Sequence, residues 1–253
     1  MATTLGSKKL IRIGVMLEAV QLSDIMGIDL FGNLSREYYN KVKDFDPEFA
    51  QWADHPVDTK FYFISSTLEP AEMTPGLKFV PNITYDDCPR DLDLVLIGGP
   101  LPSHRPPAAD RFMKEAYPKT KVWLTTCIGS PWLASAGVLK GKKCTTNREF
   151  LPYVRQVHPE TEWLDQRWVV EEKEYEGEEK GELWTGGGAG AGKTCFAHTL
   201  LIVNGYMTLG LSMIITYLNK NFDPGFVQKM ALEAIAFEEL ALNQFYKTSR
   251  PTA

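Results

Sequence analysis

Short apolar segments, each followed by a connection that turns the chain back, constrain this protein more than any other feature of its sequence. Four of them have the length and β-branched content of buried strands: 10–17 (LIRIGVML), 61–65 (FYFIS), 92–97 (LDLVLI) and 122–126 (VWLTT). Helical spacing follows three of them, over 23–41, 108–116 and 129–138. Strands that alternate with helices favour a mostly parallel sheet covered by helices on both faces. The predicted class is therefore α/β.

The remaining segments add further elements, and the sequence contains no internal repeat. Segment 77–85 alternates but contains a proline, which predicts an edge or hairpin strand. Further predicted elements are a short strand over 143–146, a hairpin of 163–171 with 182–185, and an amphipathic helix over 224–246. We predict one domain over 1–253, with 193–210 as an insertion within it.

Composition excludes some partners. The net charge is −5, whereas a nucleic-acid binder is expected to be basic, so we predict no nucleic-acid partner. The four cysteines include no C-x-x-C pair, which argues against a zinc site. The start of the sequence lacks the long apolar core of a signal peptide, so we predict a cytoplasmic protein with free thiols.

One uncharged segment, 194–219, is long enough to cross a bilayer. Polar residues are scattered through it, and Asn204 near its centre would be costly in lipid. A buried helix, with no membrane partner, is the prediction.

The stretch GGGAGAGKT (186–194) matches the phosphate-binding pattern G-x-x-x-x-G-K-T from Gly187 onward. A P-loop needs a strand before it, a helix after it and a later strand that ends in an acid to hold magnesium. The sequence after Thr194 supplies no such strand. A nucleotide site is thus an alternative that its context disfavours.

Chemistry in a parallel α/β sheet lies beyond the carboxyl ends of the strands. Cys127 stands there, in TTCIGS, where a buried strand turns into a helix, as a nucleophile does in an elbow. Amide donors at such a turn are expected to lower the thiol pKa. The N–H of Ile128, with that of Gly98 or Gly99, is the predicted oxyanion hole. The alternative is that Cys127 is a small buried apolar residue.

Several segments resemble the PfpI/ThiJ superfamily of class I glutamine amidotransferase-like proteins, and most of all its fungal isocyanide-hydratase-like branch. They occur in family order over most of residues 10–192: IGVMLEAVQLSDIMGIDLFG, GLKFVPNITYDDCPRDLDLVLIGGP, WLTTCIGSPWLASAGVLKGKKCTTN, RWVVEE and ELWTGGGAGAG. The resemblance implies a flavodoxin-like three-layer sandwich, a homodimer, and Cys127 as nucleophile.

The resemblance also implies an acid just after the first strand. The motif V-Q-L-S-D places it at Asp24, and Glu18 is the alternative because the segment is one residue shorter than the usual pattern. A protonated carboxyl in either position can donate to the thiolate and pass a proton to substrate. Asp24 is also a suitable cap for the following helix.

The sequence departs from the family's glyoxalase and protease-like branches at one position. Those branches place a histidine about twenty residues after the cysteine, where this chain has Asn147. His104, after the Gly98–Gly99 turn, is a further candidate for the site; a surface position is the alternative. Without a Cys–His pair, hydrolysis lacks its usual general base.

We therefore expect a cysteine-dependent hydratase, without metal or cofactor, whose Cys127 adds to the terminal carbon of an isocyanide or similar small molecule. Asp24 delivers the proton, and water releases an N-formamide. A glyoxalase-type lyase on 2-oxoaldehydes and a non-catalytic redox sensor are the alternatives. Three tryptophans are predicted either to line a pocket or to belong to the core: Trp132, Trp168 and Trp184.

Omission of residues 193–210 joins GGAGAG to LSMIITYLNKNFD, a continuation that resembles the family. On this interpretation Lys193 and Thr194 belong to an insertion and the preceding glycines to a family turn. The match to the P-loop pattern is then a coincidence at the junction.

Overall fold

Eleven strands and seven α-helices lie within the part of the chain that the computed structural model describes, residues 10–74, 76–188 and 209–235. The strands are β1 (Leu10–Met16), β2 (Asp58–Ser65), β3 (Ala71–Glu72), β4 (Lys78–Phe79), β5 (Ile83–Thr84), β6 (Leu94–Ile97), β7 (Val122–Thr125), β8 (Lys143–Cys144), β9 (Glu162–Trp163), β10 (Trp168–Lys173) and β11 (Gly181–Gly186). The helices are α1 (Gly27–Asn33), α2 (Arg36–Val42), α3 (Pro107–Ala116), α4 (Gly129–Ser135), α5 (Leu151–Val157), α6 (Leu209–Asn221) and α7 (Pro224–Val227).

The main sheet has the strand order β10-β11-β7-β6-β1-β2-β5. Its neighbouring strands are parallel except for the β10–β11 hairpin. Counted along the chain, the parallel strands β2-β1-β6-β7-β11 follow the order 2-1-3-4-5 of flavodoxin-like folds. The predicted flavodoxin-like α/β fold is confirmed.

Alternation along the strands divides the core into two apolar layers, one on each face of the sheet. In β6, Leu94 and Leu96 pack into one cluster, and Val95 and Ile97 pack into the other. The first cluster includes residues of α1, α6 and α7, and the second includes residues of α3, α4 and α5. Helices thus cover both faces of the sheet, and its carboxyl ends remain at one edge for a site.

The prediction of one helix over 23–41 is wrong, because the segment forms a 3₁₀ turn, Leu22–Ile25, followed by α1 and α2. Ser35 separates the two helices: its side chain accepts a hydrogen bond from the N–H of Tyr38, capping α2. Its backbone also forms a bridge with Val57. The helix is therefore interrupted at Ser35 by this cap and this bridge, although the apolar spacing of the sequence continues without a break.

The other predicted elements differ mainly in their bounds. The segment 77–85 splits into β4 and the edge strand β5, with Pro81 between them. The predicted hairpin is β10–β11, while Trp163 lies in β9 beside β8. Past α7 the chain continues as a π-helical turn, Gln228–Leu232, and a 3₁₀ turn, Glu233–Ile235. The rest of the predicted helix, 236–246, lies outside the described residues.

Within the described ranges, no helix is long and apolar enough to cross a membrane. Residues 209–219 of the uncharged segment form most of α6, which packs its apolar residues against the sheet. Residues 194–208 lie outside the described part of the chain.

Candidate active site

Cys127 lies in a sharp turn between β7 and α4, with a backbone φ of +53°. This left-handed conformation is uncommon for a residue with a side chain. Backbone bonds fix the turn on both sides: the N–H of Thr126 donates to Ile97 O at 3.0 Å, and the N–H of Gly129 donates to Thr126 O at 2.9 Å. The elbow predicted from TTCIGS is confirmed as geometry.

Two glycines allow the backbone to pack closely around this elbow. A Cβ atom on Gly99 would lie 2.6 Å from the backbone nitrogen of Ile128. A Cβ on Gly129 would lie 2.7 Å from the carbonyl oxygen of Ile97. Any larger residue at either position would push the end of β6 away from the turn that carries Cys127.

Asp24 is the acid that the structure places beside Cys127. It lies in the 3₁₀ turn Leu22–Ile25 and is 2% exposed. Its Oδ2 accepts a hydrogen bond from the N–H of Gly99 at 3.1 Å, and α1 is not capped by its side chain. Burial raises the pKa of Asp24 to about 6, although the Gly99 N–H and the Cys127 thiol both act to lower it. Asp24 thus titrates near neutral pH, as a proton-transfer group should.

The thiol of Cys127 differs from the sequence prediction. Burial, followed by the charge of Asp24, raises the pKa of Cys127 to about 12. Hydrogen bonds from Asn147 and from the N–H of Ile128 act in the opposite direction and are outweighed. The expected lowering of the thiol pKa is therefore wrong for this arrangement, because a desolvated sulfur beside a carboxylate favours the protonated form.

Asn147 faces the sulfur from the loop after β8. Its Nδ2 lies 3.8 Å from Cys127 Sγ, and its N–H donates to Cys127 O at 3.1 Å. The neighbouring Thr146 hydroxyl also donates to Cys127 O, at 2.9 Å. Both carbonyl contacts hold the elbow, and the Asn147 amide is a donor that stabilises negative charge on sulfur.

The N–H of Gly99 is engaged by the carboxylate of Asp24, whereas the N–H of Ile128 contacts the sulfur. Gly98 packs against the same acid, since a Cβ there would lie 3.2 Å from Asp24 Cβ. The three backbone groups chosen from the sequence therefore surround the Cys127–Asp24 pair. Their service as an oxyanion hole stays a prediction.

The glycine run after β11 belongs to this site. The N–H of Cys127 donates to Gly187 O at 3.2 Å, and the N–H of Gly187 donates to Arg167 O at 2.8 Å. A Cβ on Gly188 would lie 2.9 Å from Asn147 Nδ2 and 3.6 Å from Cys127 Sγ. The backbone of Gly187 is thus engaged within the protein, whereas a P-loop directs such amides at phosphate. Lys193 and Thr194 lie outside the described residues, as does most of the proposed insertion.

Glu18, the alternative acid, faces a different group of residues. Its carboxylate accepts hydrogen bonds from Ser65 Oγ (2.8 Å), Ser66 N–H (3.0 Å) and Ser66 Oγ (3.0 Å). Nε2 of His104 lies 3.6 Å from Glu18 Oε2, and the imidazole packs edge-on against Trp132. Burial alone would raise the pKa of Glu18, but His104 and the serine donors outweigh it and hold the pKa at about 2.

The structure therefore places the two acids in different surroundings. Asp24 faces the thiol, and Glu18 joins the ends of β1 and β2 to the loop that follows β6. His104 belongs with Glu18, so neither residue completes a pair with Cys127. The two serines were not predicted as partners, although their position at the end of an apolar strand, one as its last residue and one just after it, places them at the carboxyl edge.

The tryptophans are core residues: Trp132, Trp168 and Trp184 are all buried. A small cavity instead lies beside Asp24, between the 3₁₀ turn and the start of α6. It is lined by Ser23, Asp24, Met26, Gly27, Thr126, Gly210, Leu211 and Ile214. Its walls carry one ionisable group, Asp24, among the residues that the structure describes.

Two further observations concern the cysteines and metals. Cys88, Cys127 and Cys144 are buried and form no disulfide, and Cys195 lies outside the described residues. Within 10–74, 76–188 and 209–235, no three His, Cys, Asp or Glu side chains are grouped to hold a metal ion.

Comparison with known proteins identifies the family of this chain. The model of the DJ-1/PfpI family matches residues 47–183. This chain belongs to the DJ-1/PfpI family.

A curated relative, isonitrile hydratase from Pseudomonas putida, is 28% identical over 149 residues. The match covers 56% of this chain and 58% of that enzyme, so it spans little more than half of either protein. This likeness agrees with the hydratase-like branch to which the sequence motifs pointed.

Solved structures of the same superfamily share the fold at low identity. A ThiJ/PfpI family protein from Pseudomonas syringae has a TM-score of 0.59 at 19% identity, covering 96% of this chain and 77% of its own. A DJ-1 superfamily protein from Salmonella typhimurium has a TM-score of 0.58 at 15% identity, covering 90% and 100%. DJ-1beta from Drosophila melanogaster has a TM-score of 0.58 at 12% identity, covering 90% and 99%.

Proposed function

We propose that this protein is a cofactor-independent cysteine hydratase that adds water to the terminal carbon of a small isocyanide. The observation that carries the proposal is the buried Cys127–Asp24 pair, in which a cysteine with a left-handed backbone adjoins an acid with a pKa of about 6. The relative named isonitrile hydratase supports the choice of substrate class.

The first step moves one proton within this pair. Asp24 takes the proton from the Cys127 thiol as sulfur forms a bond to the isocyanide carbon. The carbon lone pair then accepts that proton from Asp24, which gives a thioformimidate, R–N=CH–S–Cys127. Asn147 Nδ2 and Ile128 N–H stabilise the sulfur while it carries negative charge.

The second step consumes water. A water oxygen bonds to the thioformimidate carbon, one of its protons ends on nitrogen, and Asp24 removes the other. The C–S bond breaks, the N-formamide R–NH–CHO leaves, and the thiolate recovers its proton from Asp24. The sum is one isocyanide plus one water to one formamide, with both protein groups restored.

The position of the histidines favours hydration over a glyoxalase-type reaction. Asn147 stands where those branches have a histidine, and an amide cannot serve as a general base. His104 lies beside Glu18 instead. His55 packs against Trp52 and Phe226, and His158 lies beside Glu160. His198 is outside the described residues.

The thiol environment disfavours redox sensing by a free thiolate, and it makes a neighbouring base such as Asp24 necessary for nucleophilic attack. Sensor cysteines are exposed and have a low pKa, because the thiolate is the species that oxidises. Cys127 is buried and its pKa is raised to about 12. We further propose a cytoplasmic homodimer that acts on a small molecule, as the resemblance implies.

The test is a hydration assay on the purified full chain with neutral isocyanides, such as cyclohexyl and benzyl isocyanide, and the formamide detected by ¹H NMR. In H₂¹⁸O, the label should enter the formamide. We expect Cys127→Ala to abolish turnover and Asp24→Asn to lower kcat by at least about 100-fold, which is typical for the loss of a proton-transfer group.

Cys144→Ala is the matched control, since Cys144 is also buried and free but lies in β8. It should retain wild-type turnover. Formation of formamide by Cys127→Ala at the wild-type rate would refute the covalent mechanism. Lactate from methylglyoxal, with no formamide from any isocyanide, would establish the glyoxalase alternative.

A further inference from the structure

Thr126 links the acid to the elbow through its side chain. Its hydroxyl donates a hydrogen bond to the backbone carbonyl oxygen of Asp24 at 2.6 Å. Ile97 O lies farther from the same hydroxyl, at 3.3 Å. The residue is buried, so this bond is not in competition with bulk water.

The two ends of this bond belong to segments far apart in the chain. Thr126 directly precedes Cys127, and its N–H is fixed to Ile97 O at 3.0 Å. Asp24 lies in a one-turn 3₁₀ helix whose first residue has no side-chain cap. Leu22 and Met26 on either side of it are 54% and 38% exposed. Besides the buried side chain of Ile25, the contacts with Gly99 and Thr126 fix the position of the Asp24 turn.

The methyl group of Thr126 is also in contact. A Cβ on Gly210, at the start of α6, would lie 2.9 Å from Thr126 Cγ2. Packing holds the methyl group, and the hydroxyl is thereby directed at Asp24. Thr126 and Asp24 also line the same cavity.

We propose that Thr126 is a positioning residue, whose hydroxyl holds Asp24 at its working distance from the Cys127 sulfur. The inference rests on the proposed function, since it assigns a role within the Cys127–Asp24 pair. It predicts that loss of the hydroxyl alone weakens the influence of the acid on the thiol.

The test uses three variants that separate the effect of the hydroxyl from the effects of side-chain shape and of position in the chain. Thr126→Val keeps the shape and removes the hydroxyl, and Thr126→Ser restores it. Thr125→Val makes the same change one residue earlier, where the buried Oγ1 has no hydrogen-bond partner among the described residues. The readout is the rate of Cys127 alkylation by iodoacetamide from pH 6 to 10.5, with Cys127→Ala as the blank.

Asp24→Asn should move the rise in alkylation rate to lower pH, because the carboxylate no longer opposes the thiolate. Thr126→Val should move the rise in the same direction by about one pH unit or less, as expected when the Asp24 carboxylate moves farther from the Cys127 sulfur. Thr126→Ser and Thr125→Val should match the wild type. A general loosening of the site would also raise the rate in the Asp24→Asn background, whereas a role in positioning the carboxylate predicts that Thr126→Val has no effect there.

An alkylation profile of Thr126→Val that coincides with the wild-type profile overturns the inference. Hydration provides a second arm: kcat/KM of Thr126→Val should fall by at least about tenfold, with rescue by Thr126→Ser. If the wild type hydrates no isocyanide, the proposed function fails, yet the alkylation profiles still decide whether Thr126 positions Asp24.

Discussion

Asn147 holds its side-chain nitrogen 3.8 Å from the sulfur of Cys127, and its N–H is bonded to the carbonyl of the same residue. The two residues are 20 positions apart in the chain, and they are joined both by this side-chain contact and by the backbone hydrogen bond. Since a side-chain amide donates hydrogen bonds but does not take up a proton at neutral pH, this contact can stabilise the thiolate but cannot generate it. In the proposed reaction, Asp24 removes the thiol proton.

We expect Asn147→Asp to slow both thiol alkylation and hydration by about tenfold or more, because it replaces a donor with a like charge. The side-chain oxygen of Asn147 accepts a hydrogen bond from the N–H of Glu149 at 3.1 Å, and aspartate can keep that bond. Alkylation rates at pH 8 measure the effect. Asn147→Ala, which removes the donor without adding charge, should give a smaller loss; equal losses would contradict the electrostatic explanation.

Gly188→Ala should lower hydration by at least about tenfold while the protein remains folded. The new methyl group would lie 2.9 Å from Asn147 Nδ2, which displaces the amide from the sulfur. The matched control is Gly32→Ala in α1, where a Cβ meets nothing within 4 Å. That control should leave activity unchanged and stabilise the fold by about 0.5–1 kcal/mol. Full activity of Gly188→Ala would show that the close contact is dispensable.

Acid should destabilise the protein partly through Glu18. Its pKa is lowered from 4.5 to about 2, so its contribution is complete above pH 4.5 and is lost as the pH falls towards 2. Glu18→Gln should therefore be less stable than the wild type at pH 6, and the difference should shrink below pH 4. Urea unfolding at several pH values measures it. Glu69→Gln, an exposed glutamate in the same loop region, is the control and should leave the pH dependence as it is.

Lys173 should add a second pH dependence of the same sign, but in the alkaline range. Its ammonium is buried and donates to the carbonyls of Tyr117 (2.6 Å) and Glu174 (2.7 Å). Burial lowers its pKa from 10.5 to about 8, so the unfolded chain binds more protons between pH 8 and 10.5. The free energy of unfolding should therefore gain a rising component across that window.

Lys173→Met should remove this component, which thermal or urea unfolding at pH 8, 9 and 10 would detect. Lys180→Met changes an exposed lysine near the same hairpin and should leave the component in place. If Lys173→Met and the wild type show the same pH dependence, the buried ammonium is not the titrating group.

Much of the fold follows from the sequence because each core strand is both apolar and short. Segments such as 92–97 have one stable location, the middle of a parallel sheet, and the residues after them then lie at the carboxyl edge. The break at Ser35 is different. It depends on a bridge with Val57, which is a tertiary contact that local spacing does not reveal.

The candidate site, like the fold, could be predicted from the sequence only in part. The residue types at Cys127, Asp24 and Asn147 point to a reactive pair with an unusual third partner. Which acid faces the sulfur is decided by long-range hydrogen bonds, since Glu18 is drawn to the end of β2 and Asp24 to Gly99. The raised thiol pKa also depends on burial in three dimensions, whereas the motif alone suggests only the donors.

The left-handed backbone at Cys127 has an evolutionary consequence. At φ +53°, glycine is the residue that fits the turn with least strain, so folding on its own would favour the loss of the side chain. Under the proposed function, the sulfur is the reason for a cysteine at this position. Among descendants of this chain, replacement of Cys127 by glycine would mark the lineages in which selection for the chemistry has ended and selection for stability alone has continued.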